Sequence, residues 1–129
     1  MAFDVEKELK LFWITGMIVL IVYGAWFLVA YESYYALFGG NFAPVFSRLI
    51  AAIFIGWFIV TVRLYKKLDN WEKIEEWVVF SVMVQTLMII VQIMGIVMYN
   101  ILNGGTIIAI IINIFFTILG IHIIMQKRT

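Results

Sequence analysis

Residues 11–31 read LFWITGMIVLIVYGAWFLVAY, twenty-one positions without a charged side chain. Coiled as an α-helix at 1.5 Å per residue, this stretch spans roughly 31 Å, the thickness of a bilayer's hydrocarbon core. It lacks the period-two alternation of a barrel strand, and an open strand edge in lipid would leave backbone groups unpaired. A membrane-crossing helix is therefore the expected state.

The charges of the remaining chain cut out three more segments of the same kind, at about residues 44–65, 77–99 and 106–125. The second opens on Pro44, the chain's one proline, which suits a first helical turn because its missing N–H has no partner there. With 129 residues, 65% hydrophobic and 13% charged, a water-soluble domain of this length could not hide its apolar surface. The expected fold is all-α: one polytopic membrane domain over residues 1–129, with four transmembrane helices in an antiparallel up-down bundle. The first ten residues, MAFDVEKELK, carry mixed charges rather than a basic signal-peptide start, and the first apolar run is too long for a signal core. It reads as a retained helix.

Orientation follows from the basic residues. Lys7, Lys10, Arg63, Lys66, Lys67, Lys73, Lys127 and Arg128 fall at the chain ends or in the connection after the second helix, and Arg48 alone falls on the opposite side. By the positive-inside rule both termini are expected in the cytoplasm. The connection ESYYALFGGNFA, residues 32–43, reads as an aromatic-rich loop at the headgroup layer, with Gly39-Gly40 as its turn. The short connection NILNGG, residues 100–105, predicts a tight hairpin of the third and fourth helices.

Polar residues within the spans fall into stripes. On a wheel of 100° per residue, Ser81, Gln85, Met88, Gln92, Gly95 and Tyr99 lie within about 40° of one direction, with Thr86 the exception. Asn113, Thr117, Gly120 and Thr106 share a similar sector of the fourth helix. In lipid such amides and hydroxyls need partners on neighbouring helices. The stripes are either seams inside the bundle or faces for another subunit or a lipid-sized ligand. Ala52 and Gly56 offer a small-xxx-small approach on the second helix. At the outer side Glu32, Arg48 and Tyr99 form an expected cluster: a clamp on helix depth, or a contact for a headgroup or other anion.

The same sequence excludes much chemistry. Without cysteine there are no disulfides, thiolate zinc sites or iron–sulfur clusters, and a net charge of +1 with no basic cluster argues against nucleic acid. No acid lies in the middle of a span, against a solitary ion pump. Gly-rich phosphate loops, HExxH and Gly-x-Ser-x-Gly motifs are absent. His122 is the only histidine, so bis-histidine haem and zinc are excluded within the chain, leaving a single axial haem ligand or a quinone contact as the cofactor alternative. The preferred reading is an interfacial histidine facing a neighbour or headgroups, with no cofactor. Asp69, Glu72, Glu75 and Glu76 interleave with lysines as a solvated helix start.

The stretch YYALFGGNFAPVFSRLIAAIFIG, residues 34–56, resembles small uncharacterised prokaryotic four-helix membrane proteins of the DoxX-like sort. The overall plan is also similar to that of the four-helix scaffold of ergosterol biosynthesis. These resemblances imply an accessory role beside membrane enzymes, including quinol oxidases, and supply no catalytic residues; Arg48 is the distinctive position shared. The expected function is therefore non-catalytic: an integral membrane accessory or scaffold subunit of a larger complex, with membrane lipids and other integral subunits as partners. The alternatives are a self-associating carrier or channel-like protein for a lipid or apolar solute, with Arg48 gripping an anionic group, and a haem- or quinone-associated electron-transfer subunit.

Overall fold

The computed structural model describes residues 4–39, 44–100 and 102–129. They form four helices, α1 Val5–Phe38, α2 Pro44–Tyr65, α3 Trp71–Tyr99 and α4 Gly104–Arg128. All four are long and apolar enough to cross a membrane, and most of each span is unburied within the chain. That combination marks an integral membrane protein, because lipid must cover what the protein does not.

Local chemistry sets the helix ends. Asp4 caps α1, its carboxylate accepting from the Glu6 N–H at 3.1 Å. The Asn103 side chain accepts from the Thr106 N–H at 2.9 Å to cap α4. Asn100 ends α3 in the left-handed conformation (φ 55°, ψ 36°), its N–H turned back to the carbonyls of Gly95 and Ile96. Lys127 and Arg128 occupy the last turn of α4, where the helix dipole favours cations.

α1 departs from expectation. It starts six residues before the charge-free stretch and runs seven beyond it, with a break at Ala30 (φ −142°, ψ 42°). Ser33 Oγ donates to the Ala30 carbonyl at 2.8 Å and accepts from Trp26 Nε1 at 2.7 Å, so a side chain three residues on ties down the break and is itself held from two turns back. The chain folds back there. Tyr23 and Tyr34 would stand roughly 16 Å apart along a straight helix, yet their ring centroids are 5.5 Å apart. Residues read as a headgroup loop thus form a helical return segment; residues 40–43 of that connection lie outside the described residues.

α1 packs against α2 and α4, and α3 packs against α4. One core cluster joins Leu9, Phe12, Trp13, Ile74, Val78, Phe116 and Ile123, and a second joins Phe27, Tyr34 and Ala51. Contact is closest at glycines. A Cβ at Gly24 would lie 2.9 Å from Ile55 Cγ1, and one at Gly120 would press into Val82 and lie 3.2 Å from Phe12 Cε2. The Ala52/Gly56 pair plays no such part: both are exposed, and nothing stands within 4 Å of a Cβ at Gly56. Ala51, one position earlier and fully buried, faces the neighbour instead. Gly120→Ala is accordingly expected to lower stability by about 1–3 kcal/mol through overpacking, and Gly56→Ala to leave it unchanged. Unfolding in mild detergent, followed by circular dichroism, measures both.

Candidate ligand cavity

The two core clusters leave a hollow between them. A cavity of about 340 Å³ is bounded by all four helices, within the range of about 300–1,000 Å³ typical of small-molecule sites. Its ring-rich wall is Tyr23, Phe27, Tyr34 and Tyr35 of α1 with Phe54 of α2. Phe27 and Tyr34 meet edge to face at 4.8 Å, and Tyr23 meets Phe27 likewise at 5.6 Å, so these rings brace one another. The opposing wall is aliphatic, from Met88, Ala109 and Ile112, and carries the amides Gln92 and Asn113. Asn103, Gly105 and Thr106 bound the cavity at the start of α4. Every described lining residue is uncharged.

The polar stripes of α3 and α4 meet here. Asn113, only 4% exposed, donates through Nδ2 to Gln92 Oε1 at 3.1 Å. Ser81 is buried, and Gln85 Oε1 and Thr117 Oγ1 are shielded without a hydrogen-bond partner among the described residues. Ser81, Gln85 and Thr61 edge a smaller cavity of about 40 Å³ closed by Phe12, Trp13, Trp57 and Trp77, large enough for water. The Ser81–Gln92 part of the α3 stripe and the Asn113–Thr117 part of the α4 stripe thus turn toward cavities and shielded contacts inside the chain, whereas Tyr99, at the end of the α3 stripe, is 70% exposed. Val19 borders both cavities.

The outer cluster is only partly assembled. Glu32 and Arg48 both act electrostatically on the Tyr31 hydroxyl, placing them in one neighbourhood, and both are exposed. No ion pair joins them among the described residues. Tyr99, 70% exposed, has no hydrogen bond or ring contact among the described residues and is not brought to them. None of the three lines the cavity.

His122 has a partner that sequence reasoning missed. Its Nδ1 lies 2.8 Å from Glu8 Oε2, with the side chains 39% and 11% exposed. A nearly buried carboxylate needs such a partner; the two residues are 114 positions apart, so no local pattern signals the pair. Arg128 pairs with Glu75 at 2.8 Å, drawing one acid of the solvated helix start into a contact with the end of α4. Trp13 Nε1 donates to the Thr61 carbonyl at 2.6 Å and Trp77 Nε1 to Thr61 Oγ1 at 3.4 Å. Among the described residues no group of three His, Cys, Asp or Glu is placed to hold a metal.

Compared with known proteins, the chain matches no family model, no curated protein and no solved structure.

The Gln92–Asn113 bond makes a quantitative prediction. Gln92→Leu and Asn113→Leu each strand one amide, whereas the double variant removes both. A double-mutant cycle on detergent unfolding should return a coupling of about 0.6–2 kcal/mol, the double variant being less destabilised than the sum of the singles.

Proposed function

We propose that this chain is a non-catalytic integral membrane protein that holds an apolar or amphipathic molecule, lipid-like in chemistry, in the cavity between its helix pairs. The observation that carries this reading is the cavity itself: ligand-sized, walled by mutually braced rings and aliphatic side chains, and furnished with a few polar groups. In this reading Arg48 does not grip the bound molecule, since it lies outside the described lining.

The helices cross the membrane alternately, as an antiparallel up-down bundle of a prokaryotic cytoplasmic membrane. Both termini and the connection between α2 and α3 face the cytoplasm. Supporting this, the starts of α1 and α3 meet the ends of α2 and α4 through Glu8–His122, Trp13–Thr61 and Glu75–Arg128, and eight of nine basic residues gather at that end. The chain has no cysteine, so single cysteines can be introduced cleanly. On intact cells a membrane-impermeant maleimide should label Asn103→Cys and spare Lys67→Cys until the membrane is opened; the reverse pattern would overturn the orientation.

A second reading, an accessory subunit of a larger membrane complex, is favoured by α3. Of its 29 residues only Ile74, Val78 and Ser81 are buried, leaving an apolar flank of Leu87, Val91, Met94 and Met98 for lipid or for another protein. The DoxX-like resemblance implies the same role. Mild-detergent extraction followed by native mass measurement separates the readings. The cavity reading predicts the 15.0 kDa chain, or a multiple of it, carrying a small extra mass that Ala109→Phe abolishes by filling the cavity. A stoichiometric membrane protein travelling with a ligand-free chain would establish the accessory role instead.

A further inference from the structure

We infer, resting on the cavity reading above, that the molecule held is neutral and carries a hydroxyl, which seats on the Gln92–Asn113 amide pair. Two side-chain amides joined by one hydrogen bond keep unused capacity. Here one N–H of Asn113 Nδ2 is given to Gln92 Oε1, leaving the Asn113 oxygen wholly unused as acceptor and the Gln92 NH₂ wholly unused as donor. Both residues line the cavity, and neither remaining atom is among the fully buried side-chain atoms without a partner. Exchanging oxygen and nitrogen on both amides leaves the same offer of one acceptor and one set of donors, so the conclusion does not depend on amide assignment.

A hydroxyl matches that offer because it donates and accepts through one atom; a ketone or ester engages only the donor and leaves the Asn113 oxygen unpaired. Charge is excluded by depth and lining. Asn113 lies roughly 13 Å along α4 from its start, and no described lining residue is an acid, a base or a histidine. A phosphate, sulfonate or carboxylate head would therefore be stripped of water with no counter-charge. The rest of the ligand is apolar, lying between Phe27 and Phe54 on one side and Met88 and Ile112 on the other. Long-chain alcohols and monoacylglycerols share this chemistry.

The test is photolabelling of the full chain in nanodiscs with a diazirine-bearing long-chain alcohol, mapped by peptide mass. Unlabelled alcohol, monoacylglycerol, methyl ether and alkyl sulfonate of matched chain length serve as competitors. The expected result is label on cavity-lining peptides of α1 and α4, lost in Ala109→Phe. Alcohol or monoacylglycerol should displace it, the better of the two naming the source, with the sulfonate at least about tenfold weaker. In the Gln92→Leu/Asn113→Leu double variant, which leaves no amide stranded, the preference for alcohol over methyl ether should fall about three- to tenfold. Equal competition by the sulfonate, or an unchanged preference in the double variant, would overturn the hydroxyl inference while leaving the cavity reading intact. Label spread over outward faces and indifferent to Ala109→Phe would overturn both.

Discussion

A side-chain amide at hydrocarbon depth has no water to turn to, and the Gln92–Asn113 bond is where this chain meets that constraint. In lipid, apolar helices gain little by touching one another, so close packing and polar bonds must specify the neighbour. α3 illustrates the point. Its buried side chains are confined to its first half, at Ile74, Val78 and Ser81. Beyond them, the amide bond to α4 is the directional contact that fixes which face of α3 turns inward. Once Gln92 faces Asn113, the helical period carries Gln85 and Met88 to the same side, and both line cavities.

The hollow follows from how the two ends are built. Near the start of α1, large side chains interlock: Phe12 meets Phe116 edge to face at 5.7 Å and Trp13 reaches the Thr61 carbonyl. Toward the other end, α1 breaks at Ala30 and its return segment brings Tyr34 beside Gly105 and the Phe38 carbonyl beside Gly104. A Cβ at Gly104 would stand 2.9 Å from that carbonyl, so the approach requires glycine. The bundle is thus packed by rings at one end and by a folded-back segment at the other, and the space between is walled by rings on one side while Ala109 and Val19 are too small to fill it.

The four apolar helices were legible because runs without charge are directly visible, and α2 matches the segment 44–65 residue for residue. Periodicity also identified the Ser81–Gln92 and Asn113–Thr117 stripes, since it depends only on 3.6 residues per turn. Which way those stripes face was not legible, because a wheel carries no information about the neighbouring helix. The break at Ala30 has no proline or glycine to announce it; its stabilising contacts, Trp26 and Ser33, are ordinary residues in the sequence. Glu8 with His122 was invisible for a different reason. The pair is made by tertiary packing across 114 positions, and a charge just before an apolar run reads as solvated until its neighbours are known.

The described ion pairs and the cavity lie toward opposite ends. Glu8–His122 and Glu75–Arg128 join the start of α1 and of α3 to the end of α4, and Thr61 there accepts from two indoles. These contacts join four helix pairs, α1–α4, α3–α4, α1–α2 and α2–α3, through charge and hydrogen bonds, and water can screen the exposed groups among them. The cavity borders the other end, where the described contacts are ring edges, the Asn103 cap and glycine approaches. Contacts of that kind separate without exposing an uncompensated charge, whereas opening the charged end would strand the nearly buried Glu8 carboxylate. Electrostatics therefore makes the end without a described ion pair the less costly one to part.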